Sequence, residues 1–326
     1  MRDPVFIVGT ERSGSNLLRV MLDAHSGLCV PHPPHLLKYF GDLEGSYPSL
    51  DPLVDDVLRL LQTHIHPWEL SIDREALLRA EPPDLVGVMV ALYTQAAQAA
   101  GKTRWGCKST FVIDHAERVA VALPQARFIH LVRDVRDVAA SSLSSVFNPS
   151  HPVHAAELWR RQQERGLRIA AERPEAWLRV RYEELVGQPQ ATLERVCVFL
   201  GMDFEPGMLD YHRSSEAERG ARLSASWKNT ASPPQKSRAG RYRQTLSPEL
   251  IAAVEEAAGP VMWELGYEPE MTGRRPPFAA RTRYELSAAR QRVGIELKSL
   301  REDANHWRRW RRDATVALIR LRRRAP

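Results

Sequence analysis

A small polar turn near the start of the chain has the composition of an anion-binding site. Residues 5–8 are a short β-branched run ending at Gly9, residues 10–16 are polar, and apolar residues then recur at helical spacing. Backbone N–H groups and the dipole of such a helix converge on one point, which favours an anion. The turn is not a Walker A loop, because Ser15 stands where that motif requires lysine. A strand-to-helix turn without a ligand is the alternative.

A second strand-to-helix junction carries cations. Residues 126–132 are apolar and β-branched, and Arg133 and Arg136 follow them before a helical run at 138–143. Ligands of open α/β sheets bind at the carboxyl ends of strands, so we expect both polar junctions to border one crevice.

The rest of the chain alternates helical and strand patterns. We predict strands at residues 27–30, 104–108 and 177–182, and helices at residues 52–63, 84–100, 112–123 and 191–200, with another helix starting at Ser247-Pro248. This alternation predicts an α/β fold with a parallel, doubly wound sheet. The polar stretch 213–243 contains Pro233-Pro234 and is predicted to be a long loop, a kind that often acts as a lid.

Composition excludes several protein classes. The chain has 326 residues, of which 43% are hydrophobic and 26% charged, as in ordinary globular proteins. There is no run of 18 apolar residues, and the first apolar run is too short for a secretory leader, so we expect a cytoplasmic protein. Cys29, Cys107 and Cys197 lie far apart without metal-binding spacing, which predicts buried reduced thiols and no metal.

Basic charge is concentrated at the C-terminal end. Residues 274–326 contain 16 Lys and Arg against 5 Asp and Glu, whereas the first 273 residues contain 30 against 35. The acidic body argues against a nucleic-acid groove there. Apolar residues recur at roughly helical spacing over 281–324, which predicts a long basic helix. That helix could lie at an anionic membrane surface, on its own domain or on a second subunit.

Two motifs together resemble one enzyme family. Residues 6–18 are similar to the 5′-phosphosulfate loop of sulfotransferases that use 3′-phosphoadenosine 5′-phosphosulfate (PAPS), and residues 128–141 to their 3′-phosphate motif, with Arg133 and Ser141 eight residues apart. Segments at 105–108, 181–185, 199–201 and 236–243 follow in the family's order. The resemblance covers about 4–268 and is nearest to the bacterial and tyrosylprotein branches. It implies a P-loop-NTPase-like three-layer fold, in which a central parallel sheet is flanked by helices.

The resemblance also implies two domains and a set of site residues. Residues 1–272 would be the sulfotransferase domain and 273–326 a basic, Arg/Trp-rich helical tail. The residues implied for the 5′-phosphosulfate are Arg12, Ser13, Gly14, Ser15 and Asn16. Those implied for the 3′-phosphate are Arg133, Ser141, Lys236, Ser237 and Arg238, with Tyr182 near the adenine. Arg12 and Lys108 would stabilise the departing phosphate without a metal. Tyr182 is equally compatible with a core position, and Lys108 with a solvated strand end.

The expected proton acceptor departs from the family pattern. Many relatives have a glutamate after the second strand, whereas this chain has Pro33, flanked by His32 and His35. An imidazole with a pKa near 6.5 is suited to taking a proton at neutral pH. We therefore predict His35 as the base, ahead of His32. The alternatives are that these histidines only pack beside the prolines, or that the site is catalytically inactive or uses a group of the substrate as the base.

The acceptor is the least specified part of the reaction. We expect its cleft between residues 35–100 and 213–243, which contain Tyr39, Phe40, Trp68 and Tyr93 among their aromatic residues. A hydroxyl of a lipid, glycan, peptide tyrosine or small metabolite fits, and an amine fits less well. Two other functions compete: a nucleotide-dependent kinase of related fold, and a non-catalytic adaptor that attaches to membranes through its tail.

Overall fold

One parallel sheet organises the protein. The computed structural model describes residues 3–143, 151–223, 225–271 and 305–324, together with the isolated positions 293, 294, 297 and 300. In this part of the chain the strands are β1 (Val5–Gly9), β2 (Leu28–Cys29), β3 (Arg104–Lys108), β4 (Arg127–Val132) and β5 (Trp177–Arg181). Their order across the sheet is β2-β3-β1-β4-β5, and all neighbouring pairs are parallel. The turns after β1 and β4 therefore open at the same edge.

Helices connect the strands and cover the sheet. Their bounds are α1 (Ser15–Asp23), α2 (Leu36–Phe40), α3 (Leu50–Thr63), α4 (Arg74–Leu78), α5 (Leu85–Ala99), α6 (Ala116–Ala122), α7 (Val135–Ser142), α8 (Pro152–Glu172), α9 (Tyr182–Gly187), α10 (Pro189–Leu200), α11 (Ser215–Leu223), α12 (Tyr242–Thr245), α13 (Pro248–Ala258), α14 (Val261–Glu264) and α15 (His306–Arg324). Asp84 caps α5, and Ser247 caps α13 with Pro248 at its first position, as those residue types favour.

Strand side chains alternate between two apolar layers. Val5 and Ile7 of β1 pack with α1 and α10, whereas Phe6 and Val8 pack with α3 and α5. A further cluster joins α7, α8 and α13 beyond the β4 side. This arrangement confirms the predicted three-layer α/β fold with a central parallel sheet. The three cysteines are buried and unpaired, as predicted.

Two local predictions were wrong. The predicted helix 112–123 begins as a 3₁₀ segment, Thr110–His115, and becomes α-helical only at Ala116. The predicted loop 213–243 is largely helical, with α11, two 3₁₀ segments (Ala225–Ala231, Lys236–Arg238) and α12. Its own polar groups hold these turns, because the Ser214 hydroxyl accepts from Ala217 N–H at 3.1 Å and the Tyr211 hydroxyl donates to the Ser232 carbonyl at 2.7 Å.

The last described segment, α15, packs on the body of the protein. Val316 and Ile319 are buried in the apolar cluster that includes α3. Arg323 donates to the buried Asp56 carboxylate of α3 at 2.8 Å, and Arg320 donates to the Tyr39 carbonyl at 3.1 Å. None of the helices described here is long and apolar enough to span a bilayer.

The described part of the tail exposes one side to solvent. The apolar residues that suggested a helix are exposed where they are described: Val293, Leu297, Leu300, Trp307 and Trp310. Helical structure is present at residues 306–324 and at the isolated positions, whereas the rest of the predicted helix 281–324 lies outside the described residues. The division into domains at 272 and 273 stays a prediction.

Candidate active site

A cleft of about 430 Å³ opens at the carboxyl edge of the sheet. Arg12 and Gly14 border it after β1, and Lys108 borders it at the end of β3. Arg133 follows β4, and Tyr182 follows β5. Polar residues at or just after the carboxyl ends of four strands thus line one cavity, as the parallel arrangement favours. We call this cavity the cleft.

The turn after β1 has a strained backbone and an open helix start. Gly14 has φ +88°, and a Cβ there would lie 2.4 Å from the Tyr182 ring, so only glycine fits. Arg12 also has a left-handed backbone, with φ 70°. No described side chain caps α1 at Gly14, so the first-turn N–H groups of Ser15 and Asn16 are open to a ligand. Strain of this kind commonly occurs at binding sites.

Buried hydrogen-bonding groups around this turn lack partners within the described chain. They are the Ser13 hydroxyl, the Asn16 side-chain amide and Nε of Arg133. The Asn16 carbonyl oxygen is already used by Arg19 Nε at 2.8 Å, which leaves the NH₂ group as the unsatisfied one. Since an unpaired buried donor costs about 1–3 kcal/mol, these groups fit a bound polyanion such as PAPS.

Hydrogen bonds join the two junctions. Arg133 donates to the carbonyl of Arg12 at 3.1 Å and to the carbonyl of Arg238 at 2.7 Å. Its guanidinium lies 4.3 Å from the centroid of the Tyr182 ring. Arg12 Nε in turn donates to the Ser141 hydroxyl at 3.0 Å. One network therefore joins Arg12 of the first junction to Arg133 and Ser141 of the second.

Not every predicted donor-site residue borders the cleft. Arg12, Gly14, Ser15, Asn16, Arg133, Ser141, Tyr182 and Arg238 do. Ser13 is fully buried beside the turn. Lys236 borders a different surface cavity with Arg181, and Ser237 borders neither. The 3₁₀ segment that carries them turns only Arg238 inward, where Asn229 accepts from its guanidinium at 2.6 Å.

Lys108 is the buried cation in the middle of the cleft. Only 7% of its surface is exposed. Burial lowers its pKa to about 7, and the positive charge of Arg19 adds to this while Glu11 opposes it. An ammonium group in this position can stabilise negative charge that develops nearby.

His35 is held in a defined orientation beside Lys108. It precedes α2 with a left-handed backbone (φ 55°), and its Nδ1 lies 2.8 Å from the Ser109 hydroxyl. Phe111 packs edge-on against the ring, with centroids 5.2 Å apart. Burial lowers the pKa of His35 well below its ordinary value, and Lys108 and Lys38 add to the shift. The ring is therefore neutral at pH 7 and able to accept a proton.

His32 has a different environment. It stacks on His66 with centroids 4.5 Å apart, and Trp227 lies 4.4 Å away. Both ring nitrogens are buried without a partner in the described chain. Burial also lowers the pKa of His32 well below its ordinary value. Although His32 borders the cleft, no described group orients its ring by a hydrogen bond.

The predicted aromatic wall was mostly wrong. Of its members only Tyr39 borders the cleft. Phe40 and Tyr93 are buried in the core, and Trp68 donates to the His32 carbonyl at 2.7 Å. Phe40 of α2 and Tyr93 of α5 pack in the apolar cluster against the sheet, whereas Trp68 lies between α3 and α4.

Sequence reasoning missed several lining residues. They are Glu11, Lys38, Phe111, Trp227, Arg309, Arg312 and Asp313, while Ser109 orients His35 from behind. Ser109 and Phe111 directly follow β3, so the rule that sites form at strand ends could have found them. Arg312 comes from α15, and no local signal links it to this cavity. Within the described ranges, no group of three or more His, Cys, Asp or Glu side chains has a metal-binding arrangement.

Comparisons with known proteins agree with this geometry. The sulfotransferase domain of the Synechococcus PCC 7002 olefin synthase is 23% identical, with a TM-score of 0.60 over 82% of this chain and 96% of that one. The sulfotransferase domain from the curacin biosynthetic pathway is 22% identical, with a TM-score of 0.56 over 82% and 99%. These likenesses show a shared fold.

Sequence comparison defines the family. Protein-tyrosine sulfotransferase A of Caenorhabditis elegans is 21% identical over 272 residues, which are 81% of this chain and 67% of that protein. Residues 4–206 match the model of the sulfotransferase family. The chain therefore belongs to the sulfotransferase family, which confirms the predicted enzyme class and its reaction, sulfuryl transfer from PAPS.

Proposed function

We propose that the cleft binds PAPS across both strand-to-helix junctions. The turn at Arg12–Asn16 holds the 5′-phosphosulfate through its N–H groups, and Arg133, Ser141 and Arg238 hold the 3′-phosphate. The observation that carries this proposal is the set of buried, unpartnered donors on Ser13, Asn16 and Arg133. Each gains a hydrogen bond when an anion occupies the cleft.

His35 acts as the base in this proposal. PAPS supplies an SO₃ group bonded to a 5′-phosphate oxygen, which leaves as PAP. Nδ1 of His35 lies 2.8 Å from the Ser109 hydroxyl. In the tautomer assigned by this proposal Nδ1–H donates to that hydroxyl, and Nε2 carries the lone pair that takes the proton of the acceptor hydroxyl. Lys108 and Arg12 stabilise the negative charge that grows on the departing phosphate oxygen. Bound anions raise the pKa of His35, which makes it a stronger base during the reaction.

A thermal shift assay tests the donor site. PAP should raise the melting temperature because it binds only the folded protein, and 5′-AMP should raise it far less because it lacks the 3′-phosphate. Equal shifts from both nucleotides, or none from PAP, would contradict the proposed donor site. A shift that requires Mg²⁺ and ATP would instead support the kinase alternative.

The acceptor is a hydroxyl compound that enters beside His35. Tyr39, Phe111 and Ile65 give this side of the cleft apolar surface, which suits an acceptor with an apolar part. Lipids, glycans, peptides and small metabolites that carry a hydroxyl and an apolar part all fit this proposal. We also propose that the protein is cytoplasmic.

The outer face of α15 suits an anionic membrane surface. Trp307, Trp310, Leu318 and Leu321 are 67%, 61%, 56% and 70% exposed. At 100° per residue these four side chains lie on one stripe of the helix, and exposed arginines, including Arg308 and Arg322, flank it. Exposed tryptophan with neighbouring arginine is the pattern of helices that lie in a lipid headgroup region. We therefore favour a membrane over a second subunit as the partner of this face.

Vesicle sedimentation tests this partner. The protein should bind vesicles that contain phosphatidylglycerol more tightly than vesicles of phosphatidylcholine alone. Trp307→Ser combined with Trp310→Ser should abolish the binding while the PAP-induced thermal shift persists. Unchanged sedimentation of the double variant, or a dimer that forms in solution and dissociates in that variant, would contradict the membrane assignment.

A further inference from the structure

Lys38 is a cation in the cleft without a matching anion. Its ammonium lies 4.0 Å from the centroid of the Phe111 ring and 5.5 Å from that of Tyr39. No carboxylate of the described residues forms an ion pair with it. Burial lowers its pKa, although Glu11 partly compensates. Glu11 and Asp313 lie near enough to oppose the shift, but neither forms an ion pair with Lys38 among the described residues. A half-buried ammonium whose closest described contacts are aromatic faces is incompletely satisfied.

A second cation reaches the same wall from the far end of the chain. Arg312 of α15 borders the cleft, and its guanidinium lies 5.7 Å from the centroid of the Tyr39 ring. Nε and Nη2 donate to the adjacent Asp313 at 2.9 and 2.8 Å. Because the Asp313 carboxylate is 61% exposed, this pair is weak and leaves Nη1 for another anion. Arg312 also contributes to the lowered pKa of Lys38, which indicates that the two cations share one region.

The position of Arg312 is fixed by the rest of its helix. Arg320, Arg323 and Arg324 bind carboxylates or carbonyls of the segment 39–56. Val316 and Ile319 add apolar contacts. Arg312 is therefore held over α2 by contacts that do not involve the cleft.

These cations are distinct from those assigned to PAPS. Arg133, Arg12 and Arg238 are joined by hydrogen bonds around Tyr182 and Gly14. Lys38 and Arg312 instead share the aromatic faces of Tyr39 and Phe111 next to His35. A positive region beside the base faces the acceptor rather than the nucleotide.

We propose that Lys38 and Arg312 form a second anion site, which binds a carboxylate or phosphate group of the acceptor. This inference rests on the proposed function, because His35 defines which side of the cleft receives the acceptor. The acceptor is then an alcohol or phenol that carries an anionic group at the opposite end from its reacting hydroxyl. Aromatic faces of Tyr39 and Phe111 bind the part between the two ends.

A matched pair of probes tests the site. 4-Hydroxyphenylacetate and 4-hydroxyphenylacetamide have nearly the same shape and differ in charge. Their dissociation constants are measured by ligand-observed NMR on full-length protein saturated with PAP, so that the phosphate sites are filled. We expect the carboxylate to bind about tenfold more tightly than the amide, as for a charge-assisted hydrogen bond.

Variants test whether Lys38 and Arg312 cause the preference for the carboxylate probe over the amide probe. Lys38→Met and Arg312→Gln should each reduce it, and the double variant should abolish it, whereas Lys38→Arg should retain it. Arg311→Gln is the control, because Arg311 is exposed on the same helix and does not border the cleft. The PAP-induced thermal shift, measured for every variant, reports folding and the donor site separately.

Three results would overturn the proposal. They are equal binding of the two probes to the wild-type protein, no binding of the carboxylate probe, and a preference that survives in the double variant. Loss of the PAP shift in the wild-type protein would instead contradict the proposed donor site. The two failures are thereby distinguished.

Discussion

The two sides of the cleft are built in different ways. The proposed donor side consists of turns that follow β1 and β4, and its key groups are backbone N–H groups and arginines within a few residues of a strand end. The proposed acceptor side combines α2, the segment after β3 and α15, and up to about 280 residues of the chain separate these elements. Its shape depends on side-chain packing between distant segments.

This contrast explains why donor binding depends on the strand ends and acceptor binding on the helices packed over them. A nucleotide donor with an anionic group at each end needs fixed anion pockets, and strand ends of a parallel sheet provide them by geometry alone. An acceptor pocket changes when a different helix packs over the sheet, and such a change leaves the turns at the strand ends intact. The family match covers residues 4–206, and α15 lies entirely beyond it. The contribution of α15 to the acceptor wall thus lies outside the family match, whereas α2 and the segment after β3 lie within it.

The largest effect is expected from the base on the acceptor side. His35→Ala should lower kcat about 10²–10⁴-fold, because proton removal from the acceptor is lost. His32→Ala should have a much smaller effect, since no described hydrogen bond orients that ring. The kcat values of both variants are measured as steady-state rates of PAP formation, with a phenol or alcohol that the wild-type enzyme sulfates. A larger loss for His32→Ala would assign the base to His32, and equal losses in the two variants would contradict the assignment to His35.

Substitutions on the donor side should lower the affinity for PAP more than they lower kcat. Arg133→Gln removes a guanidinium from the proposed 3′-phosphate pocket and should weaken PAP binding about 10–100-fold, the value of one or two charge-assisted hydrogen bonds. Binding of 5′-AMP should hardly change. Arg179→Gln, an exposed position on β5, is the control. Calorimetric titration measures the affinities for PAP and 5′-AMP. Equal losses of both affinities would show that Arg133 does not bind the 3′-phosphate.

The donor side was also the part that sequence could predict. A β-branched run ending at Gly9 and the arginine-rich segment after residue 132 are local signals, and the turns formed where they indicated. Lys236 and Ser237 were expected beside the 3′-phosphate, but the polar segment around them folds into short helical turns that direct only Arg238 inward. Arg312 and Lys38 could not be associated, because the contact between α15 and α2 is a tertiary one.

The acceptor wall should depend on the contacts that hold α15. Arg323→Ala leaves the Asp56 carboxylate, which is 3% exposed, without its closest cation, and should destabilise the protein by about 1–3 kcal/mol. Tyr47 and Arg59 still contact Asp56, which limits the loss. Arg322→Ala, exposed on the same turn, should change stability by less than about 0.5 kcal/mol. Chemical denaturation compares them, and similar values for both variants would mean that α15 is not anchored through Asp56.

The smallest effect expected is a pH dependence that links the two sides. Lys108 has a pKa lowered to about 7 by burial, so its ammonium form predominates below that pH and is lost above it. His35 is neutral down to pH values well below 6.5, because burial lowers its pKa. The value of kcat/KM, which reports the free enzyme, should therefore stay level near pH 6 and fall up to about tenfold per unit above pH 7.

A charge-retaining variant checks the origin of this alkaline limb. Lys108→Arg keeps a cation that does not deprotonate in this range, so the fall above pH 7 should disappear even if the rate is lower. An alkaline limb that is unchanged in Lys108→Arg would assign the titration to another group.

The most direct test of the account is a crystal structure of the protein with PAP bound. We predict the 3′-phosphate within hydrogen-bonding distance of the Arg133 guanidinium and the Ser141 hydroxyl, and the 5′-phosphate against the N–H groups of Gly14, Ser15 and Asn16. His35 should then face the open side of the 5′-phosphate. A nucleotide bound outside the cleft, or one whose 3′-phosphate lies away from Arg133 and Ser141, would contradict it.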